Sequence, residues 1–190
     1  MQEYFTPINI SEFVGFKNYT ASSYGKIIQA YTQLDNFPSL EKIQLAIVGV
    51  EEDRGALNNE GCALAPDYVR ENLYKLFQGN YQSKIIDLGN IKKGNTIEDT
   101  YFAVSDVLAQ LLKKNIIPVV IGGGQDLTYC QYLAYQKMEQ TINIVSVDSA
   151  FDIGDGEKEL NSQSFLSKII LHKPNILFNY SNVGYQTYFV

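Results

Sequence analysis

The fold is decided by residues 117–152, which read IPVVIGGGQD at 117–126 and INIVSVDSAFD at 142–152. Each segment is a short, β-branched apolar run that leads into glycine or aspartate, as is typical of a buried parallel strand followed by a sharp turn. Other runs of this kind are Leu45–Val50 and Lys84–Leu88, with Asn175–Asn179 as a candidate fifth strand. The sequence thus predicts several parallel strands.

The segments between these runs have helical periodicity. Thr96–Lys114 begins with Thr96 and Asp99 in helix-start positions, and Pro66–Phe77 carries Val69, Leu73 and Leu76 on one face. Shorter helices are predicted over Ser22–Leu34, Leu127–Met138 and Gln163–Leu171. Because alternating strands and helices form right-handed crossovers, we predict an α/β fold, a three-layer α/β/α sandwich with a mainly parallel sheet.

Length and composition limit the organisation and the partners. The 190 residues are 45% hydrophobic and 19% charged, which favours a single packed domain over residues 1–190, with residues 1–40 as an N-terminal extension packing on it. The net charge is −6 and the basic residues are scattered, so we expect no nucleic acid and no membrane as partner. The sequence begins without a basic segment and an apolar run, which predicts a cytoplasmic protein.

Cysteine and histidine offer little for catalysis. Cys62 and Cys130 belong to no C-x-x-C pair, so we interpret them as buried free thiols. The one histidine, His172, follows a predicted helix and is expected either to bond its last carbonyls or to be solvated. A Ser/His/Asp triad would have only this histidine to use.

Two strand ends carry the candidate chemistry, because ligands of α/β sheets bind beyond the carboxyl ends of strands. Gly122–Gly124 allow a close backbone approach or positive φ, and Asp126 is positioned to cap the next helix. This turn matches neither a dinucleotide fingerprint nor a P-loop, so phosphate binding is a third, weaker hypothesis. Asp148 and Asp152 form a carboxylate pair that either holds a divalent cation or caps a turn.

Three segments together resemble the ureohydrolase superfamily of arginases, agmatinases and formiminoglutamases. Members of that family have a Gly-Gly-Asp-His or Gly-Gly-Gly-His turn, then an Asp-Ala-His-x-Asp turn, at about the separation of Gly122 and Asp152 here. The upstream segment Gly49–Arg70, GVEEDRGALNNEGCALAPDYVR, is similar to the family's strand, glycine-rich loop and Gly-Pro-x-x-Ile-Arg. The triple glycine is closest to the formiminoglutamase branch, and the resemblance implies an arginase-like fold.

The resemblance also implies a metal centre from which this sequence departs. Active members use two manganese ions to activate water for attack on a guanidinium or formimino carbon. Gln125 and Ala150 occupy the positions of two ligand histidines, while Asp148 and Asp152 occupy those of two carboxylate ligands. The family's later Ser-x-Asp-x-Asp motif has no counterpart, so the chain corresponds to the N-terminal half of the family domain.

The leading hypothesis is therefore a degenerate ureohydrolase-like domain without metal or hydrolase activity, which acts as a binding or scaffold module. Asp148 and Asp152 are then vestigial metal ligands, no residue is assigned a catalytic or cofactor-binding role, and a small amidine- or guanidine-like ligand is possible. The alternative is a manganese-dependent hydrolase of linear amidines or guanidines. We also expect self-association, because the aromatic residues 175–190 would leave an apolar strand edge.

Overall fold

The computed structural model describes residues 1–13, 18–81 and 83–188. The strands are β1 (Phe5–Thr6), β2 (Gln29–Ala30), β3 (Leu45–Val50), β4 (Ile85–Ile91), β5 (Ile117–Ile121), β6 (Ile142–Val147) and β7 (Leu177–Val183). The α-helices are α1 (Tyr24–Ile27), α2 (Ala65–Leu73), α3 (Ile97–Lys113), α4 (Leu127–Gln136) and α5 (Phe165–Leu171). From β3 onwards, strands and helices alternate as predicted, except that β6 and β7 are also separated by a loop before α5.

The strands form two sheets. In the first sheet the order is β1-β4-β3-β5, and β2 also pairs with β4. β3 runs parallel to both β4 and β5, whereas β1 is antiparallel to β4. The second sheet is the parallel pair β6 and β7. The predicted α/β class with a mainly parallel sheet is confirmed, and the two sheets are joined through α4.

The helices α3, α4 and α5 cover one face of both sheets. The main core holds apolar side chains of β3, β4 and α3, among them Val48, Leu88, Val104 and Leu108, all buried. A second cluster packs Phe165 and neighbouring residues of α5 against α4 and β6. On the opposite face, α2 contacts β3 and β5. Helices therefore lie on both faces of the sheet, as in a three-layer sandwich, only over part of the first sheet.

The best-patterned helix agrees with its prediction, and two others do not. α3 begins with a capping box in which Thr96 and Asp99 exchange side-chain and backbone hydrogen bonds of 2.9 and 3.2 Å. The predicted helix Ser22–Leu34 forms only α1, because the chain beyond it pairs with β4 as β2. α2 ends at Leu73 rather than Phe77.

The apolar stripe of α2 also lies differently from the prediction. Val69 and Leu76 are exposed, whereas Pro66 and Arg70 form the buried side. Burial of an arginine is possible here because its charge is paired inside the protein. The prediction of two buried thiols holds for Cys130 but not for Cys62, which is half-buried. No helix within the described residues is long and apolar enough to span a membrane.

The buried arginine attaches α2 to the sheet. Arg70 forms a bidentate ion pair with Asp87 of β4, with Nε–Oδ2 and Nη2–Oδ1 distances of 2.8 and 3.0 Å. Tyr74 donates a hydrogen bond of 2.8 Å to the same carboxylate. A Cβ at Gly49 would lie 1.9 Å from Asn90 Oδ1 and 2.8 Å from Arg70 Nη1, so a larger residue on β3 would displace both side chains. The ion pair thus fixes the distance between α2 and the sheet.

Replacement of this arginine should destabilise the protein strongly. In Arg70→Met the Asp87 carboxylate stays buried without its counter-charge, and we expect a loss of about 3–5 kcal/mol in the free energy of unfolding. Urea denaturation followed by circular dichroism measures this loss. Asp67→Asn is the matched control, because Asp67 contacts the same guanidinium but is 49% exposed, and should cost less than about 1 kcal/mol. Equal losses in the two variants would contradict the assignment.

Candidate functional site

The turn between β5 and α4 packs directly against the loop that follows β3. A Cβ at Gly123 would lie 2.0 Å from the carbonyl oxygen of Glu52, and the Gly124 amide donates to that same oxygen at 3.0 Å. None of Gly122–Gly124 adopts a left-handed conformation. Of the two predicted uses of the triple glycine, close backbone approach is therefore the one the structure shows. The Gly124 amide is already bonded, which weakens the phosphate-binding hypothesis.

Asp126 does not cap α4, so that prediction was wrong. Its own backbone is helical, with φ −51° and ψ −29°, whereas a capping residue is usually extended so that its side chain reaches the free amides. The carboxylate instead lies buried beneath the turn and accepts a hydrogen bond of 2.6 Å from Tyr101. Burial raises the pKa of Asp126. This side chain serves the packing of α3 against the turn.

Gln125 and Asp148 connect the ends of β5 and β6. The Gln125 Nε2 atom donates to Asp148 Oδ2 at 2.8 Å, and the Ala150 amide donates to Asp148 Oδ1 at 3.1 Å. The hydrogen bond from Gln125, opposed by partial burial, holds the pKa of Asp148 below its usual range. Each oxygen of Asp148 therefore accepts a protein hydrogen bond.

Asp152, the second carboxylate of the pair, lies at the other end of the turn that begins at Asp148. Its backbone has φ +50°, the left-handed region that aspartate tolerates better than most residues. Burial, together with the negative charge of Asp148 and a hydrogen bond to it, raises the pKa of Asp152 to about 6. The two carboxyl groups thus differ in acidity, and Asp152 is the weaker acid.

A cavity of about 500 Å³ opens beside Asp152. Its lining consists of Ala150, Phe151, Asp152, Ile153, Gly154, Gln163 and Tyr185. The rings of Phe151 and Tyr185 are neighbours, with centroids 4.6 Å apart. Close by, Asn182 donates to the Ala150 carbonyl at 2.6 Å, and its side-chain oxygen is buried without a hydrogen-bond partner among the described residues. Aromatic rings next to a carboxylate suit a small organic cation.

The structure thus brings together all four positions singled out at the strand ends, Gln125, Asp148, Ala150 and Asp152. Sequence reasoning missed Tyr185 and Asn182, since no spacing relates the end of β7 to the turn after β6, and it gave Phe151, within that turn, no role. His172 lies apart from this site. Its imidazole hydrogen-bonds the Tyr129 hydroxyl at 2.8 Å and contacts the ring of Tyr132, while its backbone amide donates to the Ile169 carbonyl of α5 at 3.3 Å.

The side chains at the strand ends fit a manganese centre poorly. Within the described residues, no three His, Cys, Asp or Glu side chains are grouped so that they could hold a metal ion. The donors present are two carboxylates and one amide, and the amide turns its N–H towards Asp148. Ala150 offers only its backbone. Imidazole ligands, which stabilise transition metals better than amide oxygen does, are missing from this turn.

Comparison with known proteins places these features in a family. A profile of the arginase family matches residues 43–188. The formimidoylglutamase of Lysinibacillus sphaericus is 29% identical over 163 residues, which cover 82% of this chain and 50% of that protein. The chain therefore spans about half the length of the curated relatives it matches.

Solved structures agree on the fold. Formimidoylglutamase from Bacillus subtilis superposes with a TM-score of 0.71 and 14% identity, covering 85% of this chain and 52% of the other. Trypanosoma cruzi formiminoglutamase, solved with Mn²⁺, gives a TM-score of 0.65 and 20% identity, covering 77% of this chain and 55% of the other. At these identities the likeness concerns the fold alone.

The raised pKa of Asp152 makes stability depend on pH. The folded protein holds this proton up to about pH 6, whereas an unfolded aspartate loses it near pH 4, so stability falls as pH rises between these values. Asp152→Asn removes the effect and keeps a donor towards Asp148. Its melting temperature should exceed that of the unchanged protein by on the order of 2–4 °C at pH 7, and by nothing at pH 4.

The control for this titration is Asp155→Asn, since Asp155 is exposed and its pKa is lowered rather than raised. That variant should show no gain at pH 7. A melting-temperature difference for Asp152→Asn that is the same at pH 4 and pH 7 would contradict the shift.

Proposed function

Because the chain belongs to the arginase family, we propose that it is a binding domain of that fold which holds a small amidinium or guanidinium compound and has no hydrolase activity of its own. The ligand lies in the cavity beside Asp152, with the carboxylate pairing its positive charge. The protein thus uses the strand-end cleft of the family for recognition instead of hydrolysis.

The hydrogen bond from Gln125 to Asp148 carries this proposal. In the family, the two positions now held by Gln125 and Ala150 supply imidazole ligands. Here the Gln125 side chain directs an N–H group at the Asp148 carboxylate. A metal ligand at this position would instead direct a lone pair at the metal ion. The amide thus takes the place of a cation as the partner of Asp148. Among the described residues, no three His, Cys, Asp or Glu side chains are grouped so that they could hold a metal ion for such hydrolysis.

The cavity supports the choice of ligand class. Phe151 and Tyr185 offer aromatic rings, and the Asp152 carboxylate offers a negatively charged acceptor. A protonated amidine is planar and cationic, and its N–H groups match such acceptors. Several relatives are named formimidoylglutamases, and a formimidoyl group is an amidine. The same chemistry describes guanidino compounds such as arginine and agmatine.

The second candidate function is a manganese-dependent hydrolase of linear amidines. The Mn²⁺ in the Trypanosoma cruzi relative and the preserved Asp148 and Asp152 favour it. Because the chain spans about half the length of its relatives, further ligands would have to come from outside the described residues. In that case Asp148 and Asp152 would hold the ion, and the ion would activate water.

Calorimetry with formiminoglutamate, agmatine and arginine tests the proposal. We expect one of them to bind, and Asp152→Asn to weaken that binding at least about tenfold, because the substitution removes the charge and keeps the shape. Asp155→Asn lies outside the cavity lining and should bind like the unchanged protein. No formamide, urea or ammonia should be released.

Two results would contradict this function. If none of the three compounds binds at millimolar concentration, the ligand class is wrong. If product is released and the release is lost in Asp148→Ala, the hydrolase is the correct function.

A further inference from the structure

The loop between β6 and α5 provides one wall of the cavity beside Asp152. Its first residues, Ile153 and Gly154, line the cavity together with Gln163 from its other end. The Gly154 amide donates to the Gln163 carbonyl at 2.8 Å, so the two ends of the loop are closed on each other. We call residues 153–163 the wall loop. Because the lining residues come from its closed base, the position of that base sets the shape of the cavity.

Ser162 attaches this base to the loop that follows β3. Its backbone amide donates to the Gly55 carbonyl at 2.8 Å, and its hydroxyl accepts a hydrogen bond of 3.0 Å from the Leu57 amide. Within the described residues, these are the two hydrogen bonds that join the wall loop to the loop after β3. The cavity lining includes the neighbouring Gln163 but not Ser162 itself. A ligand in the cavity therefore contacts the neighbour and not the serine.

The loop that receives Ser162 is itself held by an arginine. Arg54 donates to the carbonyls of residues 94, 95 and 96 at 3.1, 3.0 and 3.0 Å, and it pairs with the Glu52 carboxylate, which is fully buried. A planar guanidinium with five N–H donors can make all of these contacts at once. Gly55, the next residue along the chain, therefore presents its carbonyl to Ser162 from a fixed position.

The middle of the wall loop is held by apolar contacts. Leu160 packs against both core clusters, the one built from β3, β4 and α3 and the one between α4, α5 and β6. Apolar burial is non-directional, so it holds the loop to the domain without fixing the orientation of the loop's ends. The hydrogen bonds of Ser162 are directional and supply that orientation.

We infer that Ser162 is a positioning residue of the candidate site. Through its two hydrogen bonds to the loop after β3 it holds Gly154 and Gln163 in place relative to Asp152, and it thereby raises the affinity of the cavity for a small organic cation without touching that cation. A ligand that enters a cavity with its wall already in place does not have to order that wall on binding. The inference rests on the function proposed above, because affinity is the property that it explains.

A purely structural role for Ser162 would have a different signature. Loss of its hydroxyl would then lower the melting temperature and leave the affinity of the folded protein unchanged. Ser39→Ala is the matched control, since the Ser39 hydroxyl also accepts an exposed hydrogen bond from a backbone amide, that of Glu41 at 3.2 Å. Ser39 lies outside the cavity lining. The two alanine variants should therefore lose equal stability and differ only at the cavity.

Hydrogen exchange measured by NMR tests the attachment without any ligand. The Gly154 amide should exchange roughly tenfold faster in Ser162→Ala, because the base that it closes is no longer held by the serine hydroxyl. Ser162→Thr keeps a hydroxyl at this position and should restore slow exchange. Ser39→Ala should exchange like the unchanged protein at Gly154.

Calorimetry on the same variants tests the effect on binding. The probe is whichever of agmatine, arginine and formiminoglutamate binds the unchanged protein most tightly. Ser162→Ala should weaken its binding about three- to tenfold, because the wall must now be ordered by the ligand. Ser162→Thr and Ser39→Ala should bind the probe like the unchanged protein.

Three results would overturn the inference. If the unchanged protein binds a probe and Ser162→Ala binds it equally well, the positioning role is wrong while the proposed function stands. Slow exchange of the Gly154 amide in Ser162→Ala would show that the serine does not hold the wall. If the unchanged protein binds none of the three compounds, the proposed function fails, and the inference fails with it.

Discussion

The hydrogen bond between Gln125 and Asp148 is the contact on which the chemistry of the cleft depends. It joins the end of β5 to the end of β6 although the strands themselves share no ladder. A glutamine can make this link because its amide is neutral and donates N–H to a carboxylate. Its neutral amide oxygen is also a weaker ligand for a transition metal than an imidazole nitrogen.

The electrostatics of the cleft follow from that contact. With one oxygen of Asp148 held by Gln125 and the other by the Ala150 amide, Asp148 stays ionised, and its charge together with burial makes Asp152 the weaker acid. Because the pKa of Asp148 is lowered and that of Asp152 is about 6, both carboxyl groups are mainly ionised near neutral pH. A cation is therefore the natural complement, and the rings of Phe151 and Tyr185 favour an organic one over a bare metal ion.

Much of the fold was predictable because buried parallel strands are continuous apolar runs. β3, β5 and β6 have the bounds that their sequences indicate, and α3 is marked by its capping box. The first forty residues were not predictable, since β1 and β2 are two-residue strands that exist only by pairing with β4. The buried face of α2 was predicted wrongly, because an arginine, Arg70, lies on the buried side and is paired with Asp87.

The candidate site was predictable in its strand-end residues and not in its cavity. Asp148 and Asp152 follow one strand and Gln125 another, and parallel strands bring such ends together. Tyr185 and Asn182 reach the site because β7 pairs with β6, and no local sequence pattern predicts that pairing. The separation into two sheets was equally hidden, because periodicity predicts strands but not the edges that they share.

Manganese stoichiometry is the most direct measurement of the central proposal, that this chain does not hold the manganese centre of its family. Elemental analysis after dialysis against manganese, with calorimetric titration, would be done on the unchanged chain and on the Gln125→His/Ala150→His double variant, which returns imidazoles to both positions. We predict no manganese retained by the unchanged chain and measurable binding by the double variant. About two tightly bound ions per unchanged chain would contradict the account.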